Sequence, residues 1–178
     1  MIQSVSKIKS NNNFFSSGWI CVNKPMNLSS FDVVRRLKKI FSLNKVGHAG
    51  TLDPLATGIL PIAFGNATKT IPYLVSSKKK YRFTILWGVK TLSHDLEAEI
   101  IEENNFIPTE NNIKKILSNF EGEIFQRPPK YSAVKVDGKR AYNLARKGID
   151  FAINEKKVKL YDITLLDHIN NKTEFSTT

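Results

Sequence analysis

The sequence predicts an α+β fold built on a mixed, mainly antiparallel sheet with flanking helices. The chain has 178 residues, of which 41% are hydrophobic, and this size and composition suit one folded domain with a real core. Segments with strand and helix periodicity are mixed without the regular βαβ alternation of a parallel sheet. The chain contains no internal repeat and no low-complexity linker. We therefore expect a flexible N-terminal segment over residues 1–17 and a single folded domain over residues 18–178.

The N-terminal half of this domain begins with a strand and a helix. "GWICVNKP" is a short apolar run that ends at Lys24-Pro25, which indicates a strand followed by a turn. "SSFDVVRRLKKIFSL" predicts a helix with Ser29 as its N-cap and Asp32 three residues later. One face of this helix is basic, and we interpret that face as solvated. The opposite, apolar face consists of Val33, Val34, Leu37, Ile40 and Phe41.

The C-terminal half mixes strands and helices. In "KKYRFTILWG" the residues alternate from Tyr81 onward with the period of a half-buried strand. "TENNIKKILSNFEG" predicts a helix that Thr109 caps. "YSAVKVDGKRAYNLARKG" indicates a strand, an Asp137-Gly138 turn and a short helix, and "KKVKLYDITLL" predicts a last strand. The residues of the middle helix that we expect to point inward are Ile113, Ile116, Leu117 and Phe120.

The charge of the chain predicts a polyanionic partner. Lys and Arg total 27 against 16 acids, which gives a net charge of +11, and nucleic acid is the commonest cellular polyanion. The alternative is that lysine is abundant because of an AT-rich coding bias. The basic surplus is concentrated between Arg127 and Lys159, where ten basic residues face only Asp137, Asp150 and Glu155. Such a local surplus is typical of a binding face.

Several classes of protein are excluded or disfavoured. No apolar run approaches the roughly 20 residues that span a bilayer, so we expect no membrane association. The first residues lack an apolar block with a small-residue cleavage site, so we expect no secretion signal. The single cysteine, Cys21, can form neither an internal disulfide nor a metal cluster, and a cytoplasmic location is the simplest setting.

The stretch "VGHAGTLDPLATGILP" surrounds one carboxylate, Asp53, with glycines and prolines. Pro54 restricts Asp53 to extended or turn geometry, and the glycines permit positive φ or close approach of another group. This indicates a carboxylate on a rigid loop, although Asp and Gly also form turns for purely local reasons. A metal site has little support, because Asp53 and His48 are only two candidate ligands and the stretch offers no others. Neither of the glycine-rich phosphate-binding motifs, G-x-G-x-x-G and G-x-x-x-x-G-K-[ST], is present in the sequence.

The segment "GHAGTLDPLATGILPIAFGNATK" closely resembles the catalytic motif of the bacterial tRNA pseudouridine synthase B family. The resemblance extends upstream through "CVNKPMNLSSFDVVRRLKK" and downstream through "KKYRFTILWGVKT" and "QRPPKYSAVKVDGKRAYNLARKGI". It covers residues 18 to about 167, and these blocks stand in the family's order. It implies the catalytic fold of that family over residues 18–178, and isomerisation of a T-loop uridine of tRNA, uridine-55, to pseudouridine. It implies no cofactor.

The resemblance also implies roles for three residues near the reacting base. Asp53 matches the nucleophile, which attacks either the sugar or the uracil ring of a flipped-out nucleotide. His48 matches a loop histidine that stacks in the space the flipped base leaves. Tyr81 matches an active-site tyrosine that stacks on the target uracil. Without the resemblance, His48 would be interpreted as a locally packed residue and Tyr81 as a core residue.

Four further residues are assigned by their place in the resembling blocks. Lys24, Lys135 and Arg146 are interpreted as contacts to substrate RNA, where cations position the backbone without specifying sequence; each is otherwise a solvated charge. Asp95 in "TLSHDLEA" aligns with a family acid near the site, although Leu92 and Ala98 replace the usual flanking acid and glycine.

The family's later "K-G-T-Y-I-R" block and its C-terminal RNA-binding domain do not occur in these residues. The arginine of that block pairs with the catalytic aspartate in the family. We therefore expect a fold that is incomplete at its C-terminus, with a second polypeptide as one possible source of the rest. The resemblance implies that the partner is the T arm of tRNA. The alternative function is a non-catalytic remnant that binds tRNA or assists RNA folding.

Overall fold

The computed structural model of the protein describes residues 16–132 and 134–178. Contacts between residues divide the chain into two compact units, Met1–Ser77 and Lys78–Thr178. The expectation of a flexible segment over residues 1–17 falls almost entirely outside the described residues and stays a prediction. No helix in the described part of the chain is long and apolar enough to cross a membrane.

The first unit contains a three-stranded antiparallel sheet. Its elements are β1 (Gly18–Lys24), α1 (Ser30–Ile40), β2 (Val46–His48), β3 (Gly58–Phe64) and α2 (Ile71–Val75), with a 3₁₀ turn over Gly65–Thr70. The strand order is β1-β3-β2, so β3 lies in the centre. Cys21 lies on β1 opposite Pro61, and it is exposed. β2 and β3 are therefore neighbours in the sheet, and the loop that joins them carries Asp53.

Helix α1 covers one face of this sheet. Ser29 and Asp32 form the predicted capping box: Asp32 N–H donates to the Ser29 hydroxyl (3.0 Å), and Ser29 N–H donates to the Asp32 carboxylate (3.3 Å). This satisfies backbone donors that a helix start leaves unpaired. The core cluster joins the first turns of α1 to β3 and consists of Val33, Val34, Leu60 and Ile62.

The second unit contains more strands than the sequence patterns indicate. Its elements are β4 (Tyr81–Leu86), β5 (Val89–Thr91), β6 (Ile100–Glu103), α3 (Glu110–Leu117), β7 (Gly122–Gln126), β8 (Lys135–Val136), β9 (Lys139–Arg140), α4 (Ala141–Ala145), β10 (Lys156–Leu160), β11 (Thr164–Ile169) and β12 (Lys172–Thr177). The largest sheet has the order β11-β12-β4, and the other strands pair as β10-β7, β5-β6 and β8-β9. Every strand pair that the structure describes is antiparallel, which confirms the predicted fold class.

The sheet of β4, β12 and β11 is held by aromatic packing and a buried hydroxyl. The rings of Phe83 and Phe175 stack with their centroids 5.4 Å apart. Trp87 Nε1 donates to the hydroxyl of Thr173 (2.6 Å), which is fully buried and also lies 2.7 Å from His168 Nδ1. A buried hydroxyl is costly unless it is hydrogen-bonded, so these contacts stabilise the sheet.

Several sequence-based predictions of local structure are confirmed. Thr109 caps α3, because its hydroxyl accepts from Asn112 N–H (3.3 Å). Asp137 and Gly138 both have positive φ, 47° and 78°, as a two-residue hairpin turn between β8 and β9 requires.

Other predictions are corrected by the structure. Ile40, Phe41, Ile116 and Phe120 are exposed rather than inward, because the buried residues of each helix lie in its earlier turns. The predicted last strand is divided into β10 and β11, since Asp162 between them has a φ of 53° that no strand accommodates. It is also not the last strand, because β12 follows it.

Candidate active site

The Asp53 loop, which we define as residues 49–57, presents an exposed carboxylate from a fixed backbone. The Asp53 carbonyl accepts from Ala56 N–H (3.0 Å), which closes a four-residue turn. Proline is favoured at the second position of such a turn, and Pro54 occupies that position. In residues 16–132 and 134–178, the structure gives the Asp53 carboxylate no hydrogen-bond or ion-pair partner. The acid is therefore accessible while its main chain is constrained.

The residue before Asp53 is held by helix α1. Leu52 N–H donates to the hydroxyl of Ser30 (2.9 Å), and the same hydroxyl donates to the Leu52 carbonyl (3.0 Å). Ser30 is the first residue of α1 and is only 2% exposed. Both peptide groups of Leu52 are thereby attached to the start of the helix.

The residue after Asp53 is held by the end of β1 and the turn that follows it. The Pro54 carbonyl accepts from Asn27 N–H (2.8 Å) and from the ammonium of Lys24 (3.2 Å). That ammonium also donates to the carbonyls of Leu28 (2.7 Å) and Pro25 (3.0 Å). The Asp53 loop is thus anchored on both sides of the acid.

The placement of Lys24 differs from the sequence-based expectation of an RNA contact. Its side chain is 0% exposed, and its charge is compensated by the three carbonyl oxygens rather than by a phosphate. A fully buried lysine is uncommon unless its charge is compensated. In this structure Lys24 therefore contacts the Asp53 loop from inside the unit.

His48 lies at the end of β2, at the start of the same connection. Its Nδ1 lies 2.6 Å from the Gly50 carbonyl oxygen. A carbonyl oxygen only accepts, so Nδ1 carries the proton in this contact. The ring is half-buried, and its orientation is set by Gly50, whose φ of 112° is strained for any residue with a side chain.

The other four predicted site residues lie in the second unit. Tyr81 begins β4, pairs with Thr177 and is 48% exposed, so it is not a core residue. Asp95 is exposed, and its carboxylate accepts from the Ser93 hydroxyl (2.5 Å) and from Glu97 N–H (2.9 Å). Asp95 therefore organises the connection between β5 and β6.

Lys135 and Arg146 are both exposed, as a contact to the backbone of an RNA requires. The guanidinium of Arg146 lies 5.7 Å from the centroid of the Tyr142 ring. All ten basic residues between Arg127 and Lys159 are exposed. The ion pairs that the structure describes in this segment include Arg127 with Glu155, Lys130 with Asp150 and Lys157 with Glu123. The segment still carries more basic than acidic residues.

A metal centre has no support in the described residues. No group of three or more His, Cys, Asp or Glu side chains in the described residues could hold a metal ion.

Comparison with known proteins identifies the family. The sequence model of the TruB family pseudouridylate synthases, N-terminal domain, matches residues 38–178. The chain belongs to this family. Its relatives include the tRNA pseudouridine synthase B of Caulobacter sp. (strain K31), 48% identical over 163 residues, or 89% of this chain and 53% of the relative. That of Wolbachia pipientis subsp. Culex pipiens is 49% identical over 162 residues, or 90% and 46%.

Solved structures show the same fold. A Cbf5-Nop10-Gar1 complex matches with a TM-score of 0.63 at 30% identity, covering 91% of this chain and 39% of that one. An H/ACA RNP bound to a substrate RNA containing 2'-deoxyuridine matches with a TM-score of 0.61 at 26% identity, covering 91% and 37%. The chain spans about half the length of the curated TruB relatives that it matches.

Sequence reasoning missed Ser30 and Asn27 as part of the site. Both stand in "MNLSSF", directly after Lys24-Pro25. Two adjacent serines were a usable signal, since a helix start needs only one of them as a cap. Asn27 has a φ of 64°, a conformation that asparagine tolerates better than most residues, and no sequence pattern showed where its N–H would point.

Proposed function

We propose that this chain converts uridine-55 in the T loop of tRNA to pseudouridine, with Asp53 as the nucleophile. The observation that carries the proposal is the exposed Asp53 carboxylate on a backbone anchored at Leu52 and Pro54, within a chain of the TruB family. A nucleophile works best when it is accessible to the substrate and held near the reacting atom. The exposure of Asp53 supports the first condition, and the anchored backbone at Leu52 and Pro54 supports the second.

The reaction is an isomerisation that leaves the composition of the nucleoside unchanged, although one hydrogen exchanges with water. The bond from the sugar to the ring nitrogen breaks, the base turns, and a new bond forms from the same sugar carbon to a ring carbon. That ring carbon loses its hydrogen to water, and the released nitrogen gains a proton. Neither oxidation nor reduction occurs, so the proposed chemistry needs no cofactor.

Access to the sugar and base requires the nucleotide to leave the stack of the T loop. We propose that the His48 ring stacks in the space this nucleotide vacates, and that Tyr81 stacks on the flipped uracil. Base–aromatic stacking is worth about 1–3 kcal/mol per base, comparable with the few kcal/mol that extrusion costs. The exposed basic residues between Arg127 and Lys159, including Lys135 and Arg146, are the proposed contacts to RNA phosphates.

The test is tritium release from transfer RNA that carries uridine labelled at the ring carbon that forms the new bond. Asp53→Asn removes the nucleophile at constant size, and we expect release to fall by about 1,000-fold or more. Asp162→Asn is the matched control: Asp162 is exposed with positive φ, which asparagine tolerates, so release should be unchanged.

The wild-type result decides between the two functions. Product from the purified chain alone would support the enzyme and make a second polypeptide unnecessary. Tight binding of tRNA without product in any preparation of the wild type, the purified chain and the unfractionated extract alike, would refute the enzyme and support the non-catalytic RNA-binding alternative. The proposed setting is the cytoplasm, where tRNA is modified and used.

A further inference from the structure

We propose that Ser30 is a positioning residue for the nucleophile, an inference that rests on the proposed role of Asp53. Its hydroxyl lies 2.9 Å from the nitrogen and 3.0 Å from the oxygen of Leu52, the residue that precedes Asp53. Ser30 is 2% exposed, so water does not compete freely for these contacts. The start of helix α1 thereby sets the direction in which the chain enters Asp53.

The Ser30 hydroxyl acts as acceptor in one of these contacts and as donor in the other. Leu52 N–H donates to the oxygen of Ser30, and the Ser30 hydroxyl hydrogen goes to the Leu52 carbonyl. The two peptide groups that flank Leu52 are therefore fixed together. Rotation of either group breaks a hydrogen bond in a buried place, where an unpaired polar group is costly.

Formation of the helix does not explain the presence of a serine at position 30. The N-cap function belongs to Ser29, whose hydroxyl accepts from Asp32 N–H (3.0 Å) and donates to the Asp32 carboxylate (2.6 Å). Alanine has a higher helix propensity than serine, so the helix alone would favour alanine at this buried position. The hydroxyl of Ser30 is instead used entirely on Leu52 in the Asp53 loop.

The functional consequence follows from how sensitive catalysis is to position. Displacement of a reacting group by about 1 Å can lower a rate about 100-fold. Without the Ser30 hydroxyl, Leu52 loses both anchors, while Pro54 keeps its contacts to Lys24 and Asn27. The carboxylate would then lie on a loop that is held on one side only.

The adjacent serines supply a matched pair of variants. Ser30→Ala removes the contacts to Leu52 and leaves the capping box intact. Ser29→Ala removes the cap and leaves the contacts to Leu52 intact. Both variants are expected to lower the thermal midpoint, so a role in stability alone would affect them in the same way.

The first measurement is amide hydrogen exchange, which does not depend on activity. In Ser30→Ala we expect the exchange of the Leu52 amide to accelerate by about tenfold or more, whereas in Ser29→Ala it should be unchanged. The internal reference is the Ala49 amide, which donates to the Pro61 carbonyl (2.9 Å). Unchanged exchange of Leu52 in Ser30→Ala would overturn the proposal.

The second measurement separates kcat from KM in the tritium-release assay. For Ser30→Ala we expect kcat to fall about 10- to 100-fold with KM for tRNA changed by less than about twofold, whereas Ser29→Ala keeps kcat. Equal losses of kcat in the two variants would reduce Ser30 to a structural residue and overturn its role. If the wild type yields no product, the proposed function fails in that assay, and hydrogen exchange still decides whether Ser30 fixes Leu52.

Discussion

Replacement of Lys24 by methionine tests whether a buried ammonium holds the Asp53 loop in place. Methionine is similar in length and apolar, so it fills the space of the lysine stem without its charge. The ammonium donates to the carbonyls of Leu28, Pro25 and Pro54 at 2.7, 3.0 and 3.2 Å. The variant removes all three hydrogen bonds at once.

The size of the effect follows from the hydrogen bonds that each carbonyl keeps in the variant. Pro54 keeps the hydrogen bond from Asn27 N–H, whereas Leu28 and Pro25 lose the ammonium. An unpaired buried polar group costs about 1–3 kcal/mol. Leu28 is half-buried, whereas Pro25 is exposed, so this cost applies to the Leu28 carbonyl, and the variant no longer has to bury a charge, which offsets part of the loss. We expect the free energy of unfolding to fall by about 1–3 kcal/mol. At about 2–4 °C per kcal/mol for a chain of this size, the thermal midpoint falls by about 2–12 °C.

The measurement is thermal unfolding followed by circular dichroism, with Lys38→Met as the control. Lys38 is exposed on α1, and an exposed substitution usually changes stability by less than about 0.5 kcal/mol. If Lys24→Met is as stable as Lys38→Met, the ammonium does not hold the three carbonyls and the reasoning is refuted. A lower midpoint together with faster exchange of the Asn27 amide would connect the loss to the Asp53 loop.

Three further predictions concern pH, salt and the aromatic ring. The hydroxyl of Ser29 lowers the pKa of Asp32, and burial partly offsets this. The stability that the ionised carboxylate contributes is therefore present above its usual pKa and is lost as the pH falls below about 4. The thermal midpoint of Asp32→Asn should vary less with pH in that range than the midpoint of the wild type, and parallel curves for the two proteins would contradict this. Affinity for tRNA should fall with salt, and three phosphate contacts between residues 127 and 159 would give a log–log slope of about −2 to −3; a flat response would remove that region from the RNA interface. Tyr81→Ala should lower the rate of pseudouridine formation more than it lowers tRNA affinity, whereas Tyr81→Phe should retain both; equal losses of rate and affinity in a folded Tyr81→Ala would contradict the stacking role.

Features that depend on neighbouring residues could be predicted from the sequence. The capping box of Ser29 and Asp32 and the turn at Asp137 and Gly138 are each set within four residues, and the structure contains both. Strand β1 is predictable for the same reason, since its apolar run and its stop at Lys24-Pro25 are contiguous. Local chemistry is sufficient to determine such elements.

The anchoring of the Asp53 loop could not be predicted in this way. Lys24 reaches the Pro54 carbonyl across 30 residues, and Ser30 reaches Leu52 across 22. A lysine in a basic chain is almost always exposed, so the composition of the chain indicates a phosphate contact for Lys24. Only the tertiary structure shows that Lys24 is buried. The acid itself could be identified from its motif, whereas the residues that hold it required coordinates.

The exposed thiol on β1 has a practical consequence for anyone who handles the protein. Cys21 is the one cysteine of the chain and is accessible, so air oxidation can join it only to a thiol of another molecule, including a second copy. Preparations stored without a reductant would then contain covalent pairs of chains, which a reducing gel resolves into one band. The same thiol offers a unique attachment point for a fluorophore, at a position on the sheet that also carries the Asp53 loop.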